Sequence, residues 1–163
     1  MLFSYPKMKE IIDASANKDI AGIACMLFLE YATELNVDLS FQNFSQELED
    51  PLSKYGTPAG ALFIAFYNNV PVGCIALQPI GLTKTCEMKR LYVKPDFRNM
   101  GIATTLVEAL SNRAKELGYT RMVLDTLDKL VPAIAFYQRH GFIKTTSYYN
   151  NPLPGVVYMT KEL

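Results

Sequence analysis

The sequence predicts a mixed α/β (α+β) fold built around one mostly antiparallel sheet of about seven strands. The first supporting observation is a pair of apolar β patterns, residues 61–67 and 72–79, on either side of Asn68-Asn69-Val70-Pro71, a composition typical of a hairpin turn. The second is a strand, a tight turn and a helix start over residues 86–109. The third is the alternation of strands and helices that follows.

The chain length and the charge balance limit the kind of protein this can be. With 163 residues the chain suits one domain, residues 1–163, that is long enough to bury a core. Lys plus Arg and Asp plus Glu both number 16, so no overall field attracts nucleic acid or a membrane surface, and we expect neither as a partner. The apolar run at 20–29 is too short to cross a bilayer and, unlike a signal peptide, follows several acidic residues.

The three cysteines, Cys25, Cys74 and Cys86, show no C-x-x-C spacing and no cluster with the single histidine. This pattern argues against a disulfide framework or a metal site and is typical of reduced, packed thiols. We therefore expect a cytoplasmic protein without a bound metal. The histidine, His140, is expected to be a solvated cation at a helix C-terminus rather than a catalyst.

The N-terminal half contains a strand, two helices and the hairpin. In chain order, the patterns predict a strand at 9–14, a helix from an Asn17 or Asp19 cap to Leu35-Asn36, a helix at 41–48 capped by Ser40 and closed by Asp50-Pro51, and the two hairpin strands. The second hairpin strand is expected to pair with the central strand at 86–93.

The central strand and the helix after it have distinct patterns. The strand is apolar and aromatic, and it ends at Pro95, which has no NH for a ladder. The helix is expected to begin near Gly101, because its apolar residues then follow the spacing of one helix face: Leu106, Val107, Leu110, Ala114 and Leu117.

The C-terminal half continues the alternation. A helix joins the central strand to the next apolar pattern, so these two strands are expected to run parallel. The remaining elements, in order, are a helix cap at Gly118, a buried strand at 121–126, a helix opened by Pro132 and spanning 133–139, a stop at Gly141, and strands at 142–147 and 156–161 around a loop at 148–155.

The turn from Arg98 to Ala103 has the chemistry of an anion site. The first NH groups of a helix lack internal partners and carry the positive end of the helix dipole. Gly101 and the small Ala103 allow a bulky anion close to the backbone, and Arg98 adds a positive charge. We therefore predict a site for a pyrophosphate group.

Two motifs point to a known family. Arg98-x-x-Gly101-x-Ala103 resembles the acetyl-CoA signature of the GNAT superfamily of N-acyltransferases, Arg/Gln-x-x-Gly-x-Gly/Ala. Residues 133–142, Ala-Ile-Ala-Phe-Tyr-x-x-x-Gly-Phe, resemble the family's A-I-x-L/F-Y-x-x-x-G-F segment, and the order of the elements is also the family's. One departure is Leu130, where the family commonly has Asn. The chain is similar to bacterial GNAT proteins of unsettled substrate.

The resemblance implies a GNAT fold, with helices on both faces of the sheet and a V-shaped splay beside the central strand. It also implies acetyl-CoA as cosubstrate, whose pantetheine arm pairs with the backbone of Leu91 and Val93, while an NH near Leu91 stabilises the oxyanion. The residues expected at the cosubstrate are Leu91, Tyr92, Val93, Arg98, Asn99, Met100, Gly101, Ile102, Ala103, Thr104 and Tyr137.

Two residues are candidates for proton transfer. Glu87 would take the proton of the amine, directly or through water; alternatively it pairs with Lys89 or Arg90 on the sheet surface. Tyr137 would protonate the CoA thiolate, the role of this tyrosine in the family; alternatively it is a core aromatic. A bulge changes the alternation of side chains, so the sequence leaves open which of Lys89 and Arg90 faces the cleft.

The acceptor is expected in a pocket walled on one side by the first two helices, the second of which contains Phe44, and on the other side by the late loop. The candidate substrate-binding residues are Tyr31, Lys89, Arg90, Tyr148, Tyr149 and Asn151. A basic pair facing the cleft would favour an acceptor that carries a carboxylate, such as an amino acid. The late tyrosines could equally be plain loop packing, and Asp125 and Thr126 could line the cleft or cap the following turn.

We therefore expect an enzyme that transfers acetyl from acetyl-CoA to a primary amine of a small molecule by direct attack, since no cysteine lies in either motif. The alternative is an acyl-CoA-binding or sensing module without turnover. Another class of nucleotide-binding protein is disfavoured, because the chain lacks both G-x-x-x-x-G-K-[ST] and G-x-G-x-x-G. Members of the GNAT family often dimerise through their last strands, and the resemblance therefore implies that this chain can form a homodimer.

Overall fold

The computed structural model describes residues 8–163, so the first seven residues of the predicted single domain lie outside the described residues. The strands are β1 Lys9–Asp13, β2 Ala61–Tyr67, β3 Val70–Ile80, β4 Thr85–Val93, β5 Arg121–Leu127, β6 Ile143–Thr145 and β7 Val156–Glu162. The helices are α1 Lys18–Leu35, α2 Phe44–Glu49, α3 Leu52–Tyr55, α4 Ile102–Glu116 and α5 Val131–Arg139, with 3₁₀ turns at Ser40–Gln42 and Pro95–Phe97. No helix in residues 8–163 is long and apolar enough to cross a membrane.

The seven strands form one sheet in the order β1-β2-β3-β4-β5-β7-β6. Neighbouring strands are antiparallel except β4 and β5, which are parallel, as their connection through α4 requires. The predicted fold class, a mixed and mostly antiparallel sheet of seven strands, is confirmed.

The sheet opens between β4 and β5. The parallel pairing covers only Thr85–Glu87 of β4 against residues 121–123 of β5. Farther along β4, two residues, Arg90 and Leu91, stand opposite the single residue Ile75 of β3, and Arg90 has a left-handed backbone with φ of 58°. This bulge bends β4, and beyond Glu87 the β4 edge has no strand partner on the β5 side among residues 8–163. The result is the predicted splay.

Helices cover both faces of the sheet, as predicted. One face is covered by α1 and α3, through Ala21, Ala24, Leu27, Phe28 and Tyr55 packed against Leu62, Ile64, Cys74 and Ala76. The other face is covered by α4, with α5 at its side, through Leu106, Val107, Leu110 and Ala114 packed against Phe63, Ile75, Leu77 and Met88. Burial of these apolar side chains is the main favourable contribution to folding.

The predicted caps of α1 are confirmed, and the predicted helix at 41–48 is found only in part, because it is interrupted at Asn43 and ends as predicted at Asp50. Asn17 accepts hydrogen bonds from the NH groups of Asp19 and Ile20, and Asn36 ends α1 in the left-handed conformation. Asn43 also has a left-handed backbone, with φ of 56°, and this splits the predicted helix into a 3₁₀ turn and α2. The short α3 after Pro51 was not predicted.

The hairpin turn is shorter than predicted. Asn68 and Asn69, with φ of 48° and 64°, form the two-residue turn alone, because Asn tolerates the left-handed conformation. Val70 and Pro71 already belong to β3, where they pair with Tyr67 and Phe66.

Candidate active site

A cavity of about 620 Å³ occupies the opening between β4 and β5. Its walls come from both strands, the start of α4, the inner side of α5 and the last turns of α1. All residues predicted at the cosubstrate line this cavity except Met100. The carbonyl of Met100 instead accepts a hydrogen bond from Lys9 Nζ on β1.

The start of α4 presents unpartnered backbone donors to the cavity. Gly101 is the N-cap, with φ of 78°, and no side chain caps the helix. The first NH that bonds back is that of Thr105, to the Gly101 carbonyl at 3.1 Å, so the NH groups of Ile102, Ala103 and Thr104 have no intrahelical acceptor. A Cβ placed on Gly101 would meet no heavy atom within 4 Å, so there is open space beside the first residue of this helix start. This geometry fits a diphosphate.

Arg98 is held beside this helix start by three contacts. Its Nη2 lies 2.6 Å from Glu34 Oε2 on α1, and its Nε donates to the Val93 carbonyl at 2.9 Å. The guanidinium also lies over the Tyr92 ring, 5.8 Å from its centre. Glu34 therefore offsets part of the positive charge that the sequence predicted for the anion site.

His140 is half-buried rather than solvated. Its Nδ1 lies 2.8 Å from the Phe136 carbonyl, and its Nε2 lies 3.2 Å from Thr104 Oγ1. The ring also packs on Phe136. His140 thus connects the end of α5 to the start of α4.

Tyr137 is both packed among aromatic side chains and part of the cavity lining, so its position is compatible with each of the two roles considered from the sequence. Its ring packs edge-on against Phe136 and Phe142, while the residue also lines the cavity. The Tyr137 hydroxyl forms no hydrogen bond with a described residue. In residues 8–163 the one fully enclosed side-chain N or O without a partner is Ser111 Oγ, so the Tyr137 hydroxyl is not fully enclosed and opens to the cavity that the residue lines. Burial raises the pKa of Tyr137, and the neighbouring Tyr31 and Asp125 raise it further, so the hydroxyl stays protonated at neutral pH.

Glu87 is buried behind the cavity wall, with 2% of the residue exposed. One carboxylate oxygen accepts a hydrogen bond from Gln78 Nε2 at 2.6 Å, and the other accepts one from the Tyr148 hydroxyl. Lys89 Nζ lies 3.9 Å away. The alternative predicted a salt bridge on the sheet surface. Glu87 and Lys89 do lie close together, but both side chains are buried, so the surface location is wrong.

Neither Lys89 nor Arg90 is among the residues that line the cavity. Lys89 Nζ donates to Gln42 Oε1 at 3.0 Å, and burial lowers the pKa of the lysine. Arg90 is bound through Nε and Nη2 to the two carboxylate oxygens of Glu47, at 2.7 and 3.3 Å. Both charges are thus engaged inside the protein.

The rings of Tyr31 and Phe44 enclose Arg90, with centres 5.7 and 5.3 Å from its guanidinium carbon. Glu47 also accepts hydrogen bonds from Tyr55 and Lys54. This buried cluster connects α1, α2 and α3 to the bulge of β4.

The loop between β6 and β7 contributes Asn151 and Leu153 to the cavity wall. Tyr149 and Asn151 both donate to Asp125 Oδ2, the latter at 2.7 Å, while Tyr148 donates to Glu87. Asp125 and Asn151 line the cavity, as does Tyr31 across from them, whereas Tyr148 and Tyr149 stand behind that wall. Thr126 lines the cavity as well, so of the two alternatives for Asp125 and Thr126 the cleft is confirmed.

Two glutamines of this network were missed from the sequence. Gln42, in the first 3₁₀ turn, lines the cavity and bridges Lys89 and the Tyr149 hydroxyl, 3.4 Å from its Nε2. Gln78 holds the Glu87 carboxylate. No local pattern marks either residue, because their partners are distant in the sequence.

The family model of the acetyltransferase (GNAT) family matches residues 11–142, and the chain belongs to this family of acetyltransferases. The prediction of an acetyltransferase enzyme is therefore confirmed. An uncharacterized N-acetyltransferase of Schizosaccharomyces pombe is 45% identical over 139 residues, which cover 85% of each chain.

Solved structures have the same fold. The crystal structure of an acetyltransferase of the GNAT family from Staphylococcus aureus MU50 superposes with a TM-score of 0.76 at 22% identity, covering 95% of this chain and 99% of that one. A GNAT family acetyltransferase from Elizabethkingia anophelis, solved with acetyl-CoA bound, has a TM-score of 0.65 at 26% identity, covering 95% of this chain and 98% of that one. Since these relatives include a eukaryotic and two bacterial proteins, the predicted bacterial type is not supported.

Proposed function

We propose that this protein transfers an acetyl group from acetyl-CoA to a primary amine of a small molecule by direct attack. The observation that carries the proposal is the cavity between β4 and β5, which joins the free NH groups of α4 to the Tyr137 hydroxyl and the Asp125 carboxylate. An anion-binding end and a proton-handling end within one cleft are what acyl transfer from a CoA thioester requires.

The proposed cosubstrate contacts follow from the backbone. The NH groups of Ile102, Ala103 and Thr104 bind the diphosphate, with Arg98 beside them. The free edge of β4 offers NH and CO groups of Leu91 and Val93 to the pantetheine arm, although the Val93 carbonyl already accepts a bond from Arg98 Nε. The Leu91 NH at the bulge stabilises the oxyanion.

Two proton-transfer steps are assigned. The Tyr137 hydroxyl, protonated and open to the cavity, donates to the departing thiolate. Glu87 accepts the amine proton through water, since it does not line the cavity and both of its oxygens already accept side-chain hydrogen bonds. Tyr148 connects Glu87 to the β6–β7 loop, because its hydroxyl donates to the Glu87 carboxylate.

Direct attack is supported by the state of the cysteines. None of Cys25, Cys74 and Cys86 lines the cavity. Burial raises the pKa of Cys74 and that of Cys25, and it raises the pKa of Cys86 to about 12, so each thiol is a poor nucleophile at neutral pH. None of the three cysteines is therefore suited to carry an acetyl-enzyme intermediate.

The test is release of CoA from acetyl-CoA in the presence of a panel of primary amines, combined with intact-protein mass spectrometry after mixing with acetyl-CoA alone. We expect amine-dependent CoA release and no acetylated protein. A stable acetyl-enzyme would contradict direct attack. Binding of acetyl-CoA without CoA release for any amine would favour the alternative, an acyl-CoA-sensing module.

Two further proposals concern the setting of the enzyme. We propose a homodimer that pairs through the late strands, supported by the position of β6 at the sheet edge and by the exposed Ile143 on it. Light scattering in solution tests this state.

We also propose a cytoplasmic location, supported by three free cysteines, and fractionation of cells tests it.

A further inference from the structure

We propose that Asp125 binds the ammonium group of the acceptor and that the acceptor is a primary amine without a carboxylate. This inference rests on the proposed acetyl transfer and names the substrate class of the same site. It follows from the charges that remain unbalanced at the acceptor end of the cavity.

Asp125 is a carboxylate of the cavity lining that no cation in residues 8–163 contacts, although the buried Lys89 lies close enough to interact with its charge. It forms no ion pair with any residue in the described part of the chain, and its Oδ2 accepts only from the neutral donors Tyr149 and Asn151. No described residue donates to its Oδ1. Glu34, the other acid that lines the cavity, is paired with Arg98 at 2.6 Å. One carboxylate oxygen therefore remains free for a cationic ligand.

The nearby basic residues are unavailable to an acceptor carboxylate. Arg90 is 3% exposed and bound at two atoms by Glu47. Lys89 is 6% exposed, donates to Gln42 and lies 3.9 Å from Glu87. Neither lines the cavity, so the acceptor with a carboxylate that the sequence favoured would meet Asp125 and no compensating charge.

The cations that do line the cavity belong to its other end. Arg98 precedes α4, and Arg139 lies in the last turn of α5, next to His140, which contacts Thr104 at the start of α4. These residues are suited to the phosphates of the cosubstrate. With Arg98 offset by Glu34, the positive character of the α4 end comes from Arg139 and the free NH groups of α4, while the other end carries the negative charge of Asp125.

Asp125 also lies near the site of the reaction. Its charge contributes to the raised pKa of Tyr137, whose hydroxyl is assigned to the thiolate. The rings of Tyr31 and Phe136 line the same cavity and offer apolar contact to the body of an amine. An ammonium bound at Asp125 is therefore held close to the thioester, with an aromatic wall beside it.

The experiment compares matched pairs of an amine and the amino acid with the same side chain: tyramine and tyrosine, tryptamine and tryptophan, cadaverine and lysine. For at least one pair we expect a kcat/KM about tenfold or more higher for the amine. The Asp125→Asn variant keeps an oxygen that can accept from Tyr149 and Asn151 but removes the charge. It should raise the KM of the amine about tenfold while the Kd of acetyl-CoA stays within about twofold.

The matched control is Asp128→Asn, because Asp128 is exposed, three residues farther along the chain, and outside the cavity lining. It should leave the KM of the amine unchanged. Equal or better turnover of the amino acid in every pair, or an Asp125→Asn variant with the native KM, would overturn this inference. Protein that binds acetyl-CoA but turns over no amine at all would instead contradict the proposed acetyl transfer and favour the acyl-CoA-sensing module. If acetyl-CoA does not bind to the native protein, the proposed acetyl transfer itself fails.

Discussion

At the scale of single residues, the Tyr137 hydroxyl gives a direct test of the proposed chemistry. It makes no hydrogen bond with a described residue, and its raised pKa keeps it protonated. Tyr137→Phe removes only this oxygen, so the packing against Phe136 and Phe142 is kept. We expect kcat to fall about tenfold to a hundredfold, because an ordinary thiolate is already a tolerable leaving group.

The matched control is Tyr119→Phe, because the Tyr119 hydroxyl donates to the Ala59 carbonyl, outside the cavity lining. Initial rates at saturating acetyl-CoA measure both variants. A Tyr137→Phe enzyme as active as the Tyr119→Phe enzyme would show that Tyr137 serves only as a core aromatic.

At the scale of elements, the ion pair between Glu47 of α2 and Arg90 of β4 fastens the acceptor-side helices to the bulge. Both side chains are almost fully buried. Removing one partner of a buried pair leaves an uncompensated charge and typically costs about 3–5 kcal/mol. Glu47→Gln should therefore lower the free energy of unfolding by roughly this amount at pH 7.

The same pair makes a prediction about pH. Burial acts to raise the pKa of Glu47, but Arg90, with Tyr55 and Lys54, lowers it more, and the net pKa lies below the ordinary value of 4.5. A carboxylate with a lowered pKa contributes its full stability above pH 4.5 and loses it as the pH falls through the folded-state pKa. The difference in stability between native protein and Glu47→Gln should thus shrink below pH 4.5.

Urea unfolding at several pH values measures this difference. Glu49→Gln is the control, since Glu49 is exposed on the same helix, and its effect should stay within about 0.5 kcal/mol at every pH. Stability differences for Glu47→Gln that do not change with pH would contradict the assigned ion pair.

The sequence predicted the elements better than it predicted their side-chain partners. Periodicity is local, so the strands and the long helices α1 and α4 were found within a few residues of their ends. The left-handed backbone of Asn43 was not found, because Asn only permits that conformation and does not require it. The hydrogen bond between Tyr148 and Glu87 joins residues 61 positions apart, and no local pattern encodes it.

At the scale of the whole molecule, the bulge and the splay convert a continuous sheet into a binding cleft. The cleft needs α4 to present free NH groups, β4 to present a free edge, and the β6–β7 loop to contribute to its wall. The sequence motifs located the first of these features, and the family resemblance implied the other two. The unpaired charge of Asp125 became visible only once the tertiary structure showed which cations were already engaged.

Binding of acetyl-CoA at the start of α4 is tested by calorimetric titration with acetyl-CoA of the native protein, Gly101→Glu and Gly118→Glu. Both glycines have positive φ, 78° and 88°, and open space around a Cβ, so the two variants introduce the same charge and similar backbone strain at opposite ends of α4. We expect micromolar binding to the native protein and to Gly118→Glu, and an affinity about tenfold or more lower for Gly101→Glu, whose carboxylate enters the diphosphate site. No binding to the native protein, or equal binding to both variants, would contradict the account.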